Sequence, residues 1–286
     1  MEQDLKTYLD DLYAAYSINY LSSDPLEFVH RFEDPRDKEI VGLIASSLAY
    51  GNVERIIKSI NSVLNGMEDT PYAFILSYNP YRDSKRFSSF IHRFNSGEDI
   101  ACLISFIKQI IERHGSIRDF FLTGYKDDDP NIRPALQSFV DRVLSLDASP
   151  FYGGGFLPKK AGVRFLFPSP ENGSPCKRLN LYLRWMIRRG DSLDTGLWNK
   201  VSPDKLIIPL DTHIARISRY IGLTRRKTQD WKMAEEITGG LKRLDPEDPV
   251  KYDFALCRLG ILKECTKRKD PDKCKQCLLE KICLYP

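Results

Sequence analysis

No run of apolar residues in this chain approaches the ~20 needed to cross a bilayer as a helix. The opening Met1-Glu2-Gln3-Asp4-Leu5-Lys6 is acidic and then amphipathic, unlike the basic start of a secretion signal. The seven cysteines make an odd count, which without such a signal argues against a disulfide framework. Internal repeats, low-complexity tracts and long linkers are missing. So is any convincing alternation of apolar and polar residues, which leaves no basis for a sheet. The Gly153–Gly155 triplet lacks the lysine and hydroxyl of a P-loop and reads as a flexible turn. These absences predict a monomer with no membrane partner, in the cytoplasm.

What is present is enough apolar material, 42% of 286 residues, for one large domain or two small ones. It comes in helical periods joined by short polar turns, so the expected fold class is all-α. Residues 2–20 read as a first helix. Asp24-Pro25 and Asp34-Pro35 each set a cap before a proline suited to a first turn. Ile40 to Leu48, Asn52 to Leu64, Leu103 to Ile111 and Ile132 to Leu146 follow as helices. Phe151 to Pro170 reads as irregular.

The net charge of +4 is uneven: residues 1–150 carry −7 and residues 151–286 carry +11. A basic half suits a polyanionic partner, since phosphate backbones attract such a surface without regard to sequence.

Three motifs lie in the basic half. Glu171 to Asn180 is a tight turn entering a helix whose apolar positions are Leu179, Tyr182, Leu183, Met186 and Ile187. Lys177 therefore sits in a first turn, where the helix dipole and Arg178 both oppose an ammonium. A neutral amine is what a Schiff-base nucleophile needs. The same turn offers backbone N–H groups to a phosphate. Next, Ile208-Pro209-Leu210-Asp211-Thr212-His213 reads as an apolar approach to an Asp N-cap, with Ile214, Ile217 and Ile221 on one helix face. Last, Cys265, Cys274, Cys277 and Cys283 are spaced C-x8-C-x2-C-x5-C, a pattern for a [4Fe–4S] cluster or a four-cysteine zinc site. Lys267, Arg268 and Lys269 lie between the first two of them. Cys102 and Cys257 read as core residues, and Cys176 is ambiguous.

In this order the motifs resemble the helix-hairpin-helix DNA glycosylases of the endonuclease III type. Gly173 to Asn180 resembles that family's G-x-G-x-K-T-A-N hairpin, and Leu210 to Arg216 its V-D-T-H-x-x-R element. The cysteines resemble its C-x6-C-x2-C-x5-C cluster, and Ile40 to Asn52 its apolar helix before a DNA-probing loop. Three features depart from the pattern. Pro175 replaces a hairpin glycine and removes an N–H. Lys177 and Asp211 are separated by an apparent insertion at 190–206. The first cysteine gap is two residues longer.

The resemblance implies a two-lobed helical fold with a C-terminal metal loop and a DNA-binding cleft. Residues 36–190 would form a barrel ending in the hairpin, and residues 1–35 with 191–286 the other lobe. It implies a base-excision repair protein acting on double-stranded DNA, a DNA glycosylase with lyase activity. Lys177 would be the nucleophile and Asp211 the catalytic acid, facing each other across the cleft. Gly173, Ser174, Cys176, Arg178, Lys267, Arg268 and Lys269 would contact DNA. Cys265, Cys274, Cys277 and Cys283 would hold a [4Fe–4S] cluster, with zinc as the alternative. Two other readings remain at this point: a non-catalytic nucleic-acid-binding protein on the same scaffold, and a zinc-stabilised helical interaction module.

Overall fold

Aspartate or asparagine caps start four of the helices of nine residues or more. In the computed structural model, which describes every residue except Met1, Ser17, Ser23, Gly155, Lys267, Lys269 and Pro286, the chain divides into two units. One is built from residues 1–22 and 173–286, the other from residues 23–172. The boundaries predicted from sequence, 36 and 190, lie elsewhere: the hairpin and the helix after it group with the two ends of the chain.

The first unit begins with α1 (Glu2–Ala15), which stops five residues short of the predicted 2–20 helix. The chain then enters the middle unit through α2 (Glu27–His30) and α3 (Pro35–Ser47). Asp34 caps α3 by accepting from the Arg36 amide at 2.8 Å, with Pro35 as the first helical residue. Asn52 caps α4 (Val53–Gly66) in the same way. Between them the chain turns at Gly51, whose φ of +102° only glycine adopts without strain. α5 (Pro71–Ser77) and α6 (Pro80–Asp83) each open on a proline.

The only strands among the described residues are β1 (Ile91–His92) and β2 (Asn95–Ser96), an antiparallel hairpin. Two residues per strand are too few to show the alternation that announces a sheet, which is why the sequence pattern missed them. Tyr50 braces the hairpin, with its hydroxyl 2.8 Å from the His92 carbonyl and 2.7 Å from Asn95 Oδ1. The core helix is α7 (Gly97–His114), started by a Ser96–Asp99 capping box. Ile100, Ala101, Cys102, Leu103 and Ile104 are wholly buried on it, and five consecutive residues point all around its axis, as in a helix packed on several sides. α8 (Ile117–Leu122) is capped by its own Ser116 and by the buried Glu39 of α3, whose carboxylate accepts from the Ile117 and Arg118 amides. α9 (Arg133–Val143) completes the unit.

Back in the first unit come α10 (Lys177–Ile187), α11 (Thr212–Tyr220), α12 (Trp231–Leu244), α13 (Asp253–Ile261) and α14 (Pro271–Gln276). The segment read as an insertion, 190–206, is tied onto the end of α10. The Thr195 and Trp198 amides donate to the Trp185 and Met186 carbonyls, and the Trp198 ring packs edge-on against Tyr182. α1 joins α13 through Tyr252, whose hydroxyl donates to Asp10 at 2.7 Å. The all-α expectation holds at the level of fold class. No helix among the described residues is long and apolar enough to cross a membrane.

Candidate functional site

Two helix starts meet in the first unit. The hairpin before α10 turns at Gly173 (φ +77°), whose carbonyl accepts from the Trp231 amide at 3.0 Å. Ser174 Oγ accepts from the Cys176 amide, and the Asn180 side chain closes the turn by donating to the Pro175 carbonyl at 3.0 Å. Cys176 caps α10 in the left-handed region (φ +47°), a conformation costly for a side chain with a Cβ and concentrated in proteins at constrained sites. That strained cap sets Lys177 as the first residue of α10.

The second start is α11. Leu206, Ile207, Ile208 and Leu210 bury the approach, and the Ile208 amide donates to Thr238 Oγ1 of α12 at 3.0 Å. The chain is thus fixed on both sides just before Asp211. Asp211 Oδ1 then accepts from the His213 and Ile214 amides at 2.8 and 2.9 Å. Its other oxygen is left facing outward. Oδ2 lies 3.9 Å from Lys177 Nζ and 3.7 Å from the Cys257 sulfur. The Lys177 side chain is 31% exposed and that of Asp211 is 16% exposed, so the pair is partly open to solvent. Lys177 and Asp211 thus come together, but within one unit and not from two lobes across a cleft as the sequence reading had them.

α11 reaches from this pair to the cysteines. Arg216 donates to the Cys265 carbonyl at 2.7 Å, and the Tyr220 carbonyl accepts from the Leu284 amide. The Tyr220 ring stands edge-on to Tyr285. Cys265, Cys274, Cys277 and Cys283 all line one cavity of about 180 Å³, with Tyr220, Glu264 and Arg268 in its wall. Burial pushes the Cys265 and Cys277 thiols up, and the neighbouring cysteines add to this; Arg216 opposes it at Cys265. Among the described residues, no three His, Cys, Asp or Glu side chains form a group that could hold a metal ion. Four sulfurs around one cavity are nonetheless a donor set of the kind that iron–sulfur clusters and zinc take.

The other residues picked out from sequence fall unevenly. Gly173 and Ser174 are at the hairpin surface, whereas Cys176 and Arg178 are buried. Arg268 is exposed at the cysteine cavity. Lys267 and Lys269 lie outside the described residues. Cys102 is core, as read.

Sequence reasoning missed a buried ionic network behind the pair. Arg184 of α10 is bonded to Asp194 and Asp253, and Arg188 to Asp191, Asp194 and Asp248. Four carboxyls face two guanidiniums. Burial outweighs the arginines at Asp194 and Asp248, whose carboxyls are pushed up. Burial does the same at Asp253, which rises to about 7 against Arg184, with Asp211 adding its negative charge. The signal available in the sequence was the i, i+4 pair Arg184 and Arg188 at the end of α10, where residues 181–187 are otherwise apolar.

No curated protein and no solved structure matches the chain. Residues 24–262 match the model of one protein family, an extent that takes in nearly all of the middle unit and residues 173–262 of the first, includes the Lys177–Asp211 pair and stops before the first clustered cysteine. The chain therefore belongs to that family, described as protein of unknown function (DUF2400).

Proposed function

We propose that this protein is a DNA glycosylase with lyase activity, working on a damaged base in double-stranded DNA through a lysine Schiff base. The observation that carries the reading is the 3.9 Å approach of Lys177 Nζ to Asp211 Oδ2, with each residue at a helix start and both open to solvent. A flipped nucleotide offers its sugar C1′ to such a pair. The amine of Lys177 attacks C1′ while the base leaves with the bonding electrons. Asp211 takes the proton lost by the amine and offsets the positive charge that develops on the sugar. The C1′–O4′ bond then breaks, O4′ taking a proton, and leaves an imine between C1′ and the lysine; the imine acidifies C2′, and loss of that proton expels the 3′-phosphate and cuts the strand.

The charge distribution supports a polyanion as partner. The unit that carries the pair has 25 basic against 19 acidic residues, and the other has 18 against 20. The four cysteines that line one cavity support a metal centre there. Cys265, Cys274, Cys277 and Cys283 would hold a [4Fe–4S] cluster, whose role is to fix the terminal loop. Iron and sulfide analysis of protein purified without oxygen should give about four of each per chain. One zinc and no sulfide would replace the cluster with the zinc site and leave the DNA reading standing.

The chemistry is tested by borohydride, which reduces an imine to a permanent protein–DNA crosslink. An abasic duplex needs no base recognition and reports the lysine alone. Wild-type protein should form the crosslink, and Lys177→Ala should abolish it while binding the same duplex nearly as well. No crosslink from cluster-loaded wild-type protein, on abasic sites or on oxidised or mismatched bases, would leave a non-catalytic nucleic-acid-binding protein.

A further inference from the structure

Helix α13 meets the Asp211 region along a single stripe. Asp253, Cys257 and Gly260 stand at i, i+4 and i+7, which places them on one helix face. Asp253, bonded to Arg184, feels the charge of Asp211. At the other end a Cβ added to Gly260 would lie 2.3 Å from His213 Nδ1, so α13 and α11 approach as closely as a bare backbone allows. Between these two anchors the Cys257 thiol donates to Asp211 Oδ2 across 3.7 Å. From Tyr252 to Gly260 every residue is buried except Cys257, which is half-buried. Before Ile261, Cys257 is thus the partly exposed residue of α13, and it lies beside Lys177 and Asp211.

The two oxygens of Asp211 are held by different elements. Oδ1 is fixed by two amides of its own helix, and among the described residues the polar contacts of Oδ2 are with the thiol and the lysine. A carboxyl's terminal torsion is broad, so without a donor on Oδ2 its plane would swing about the Oδ1 bonds. We propose that Cys257 is a positioning residue of the Lys177–Asp211 centre, its thiol holding Asp211 Oδ2 toward the lysine amine. The activity readout rests on the glycosylase and lyase reading; the contact itself is tested without it.

Two variants of the full-length protein separate donor from packing. Cys257→Ser keeps a donor and loses volume, and Cys257→Val keeps volume and loses the donor. Borohydride crosslinking to an abasic duplex should stay within about threefold of wild type for Ser and fall about tenfold for Val, the scale of one hydrogen bond. A residue that only packs would give the reverse order, Val outperforming Ser, and that order overturns the proposal. The second arm is alkylation of Cys257 by iodoacetamide, followed by peptide mass in wild type and in Asp211→Asn. A carboxylate that accepts the thiol's hydrogen keeps the proton on sulfur, and the thiolate is the form that reacts. Asp211→Asn should therefore speed alkylation of Cys257 several-fold while leaving Cys102 unchanged. Equal rates at Cys257 in the two proteins mean that the contact does not form, and the proposal falls. If wild-type protein gives no crosslink at all, the glycosylase reading fails, and the alkylation arm alone decides the contact.

Discussion

Asp211 divides its work between two oxygens, and substitutions can separate them. Asp211→Asn retains an oxygen for the His213 and Ile214 amides, so the cap survives while the charge facing Lys177 is lost. Base release should slow by about 10²-fold or more, with little change in melting temperature. Asp211→Ala removes the cap as well and should cost about 1 kcal/mol of stability, read as a lower denaturant midpoint at unchanged slope. Equal stability for the two variants would show that the cap is not what fixes this start. Asp211 was legible in the sequence because a cap is a local event, an acid three residues before an apolar period. Cys257 was not, because its contact with Asp211 spans 46 positions and its own neighbours, Phe254 to Leu256, read as core.

At the scale of elements, the helix starts were legible and their partners were not. Asp34, Asn52 and Asp211 each cap the helix that the sequence placed after them. The lysine helix begins where its apolar period begins, yet its cap is a left-handed cysteine for which no sequence rule exists. Equally hidden was the ionic network that joins α10, the 190–206 segment and α13, because each charged residue looks solvated until the helices are packed. That network has a consequence for pH. The Asp253 carboxyl is raised to about 7 in the folded protein, above the ~3.9 of an unfolded chain. Between these values the folded state binds the extra proton. The stabilisation is therefore complete below about pH 4 and is lost as pH rises through about 7. Denaturant unfolding should show stability falling on the order of 2 kcal/mol from pH 5 to pH 8. In Asp253→Asn that slope should flatten, and a slope unchanged by the substitution would assign it to another group.

For the whole molecule, charge is the most informative quantity that composition alone supplies. The basic excess belongs to the unit formed by residues 1–22 and 173–286, the same unit that holds the Lys177–Asp211 pair and the four cysteines. Replacing Lys267, Arg268 and Lys269 together by Ala should weaken binding to every duplex alike. It should also lower the slope of log affinity against log salt by up to about 3 units, roughly one per phosphate contact. Unchanged affinity and slope would remove that loop from the interface. The division into units was only partly legible. That residues from both ends share a unit depends on contacts such as Tyr252 with Asp10 and Arg243 with Glu2, which no local pattern announces.

Those end-to-end contacts also set an order of events during synthesis. Helix α1 leaves the ribosome early, yet Asp10 and Tyr13 find Tyr252, and Tyr16 finds Glu264, only when the last part of the chain has followed. At ~5–20 residues per second that delay is roughly ten to fifty seconds. Residues 23–172 are contiguous and can collapse in the interval, so the middle of the protein matures before its beginning. Meanwhile Leu9 and Leu12, wholly buried at the end, stay uncovered. A nascent chain stalled before Tyr252 would present α1 as an unpartnered amphipathic helix, the kind of segment that holdase chaperones retain.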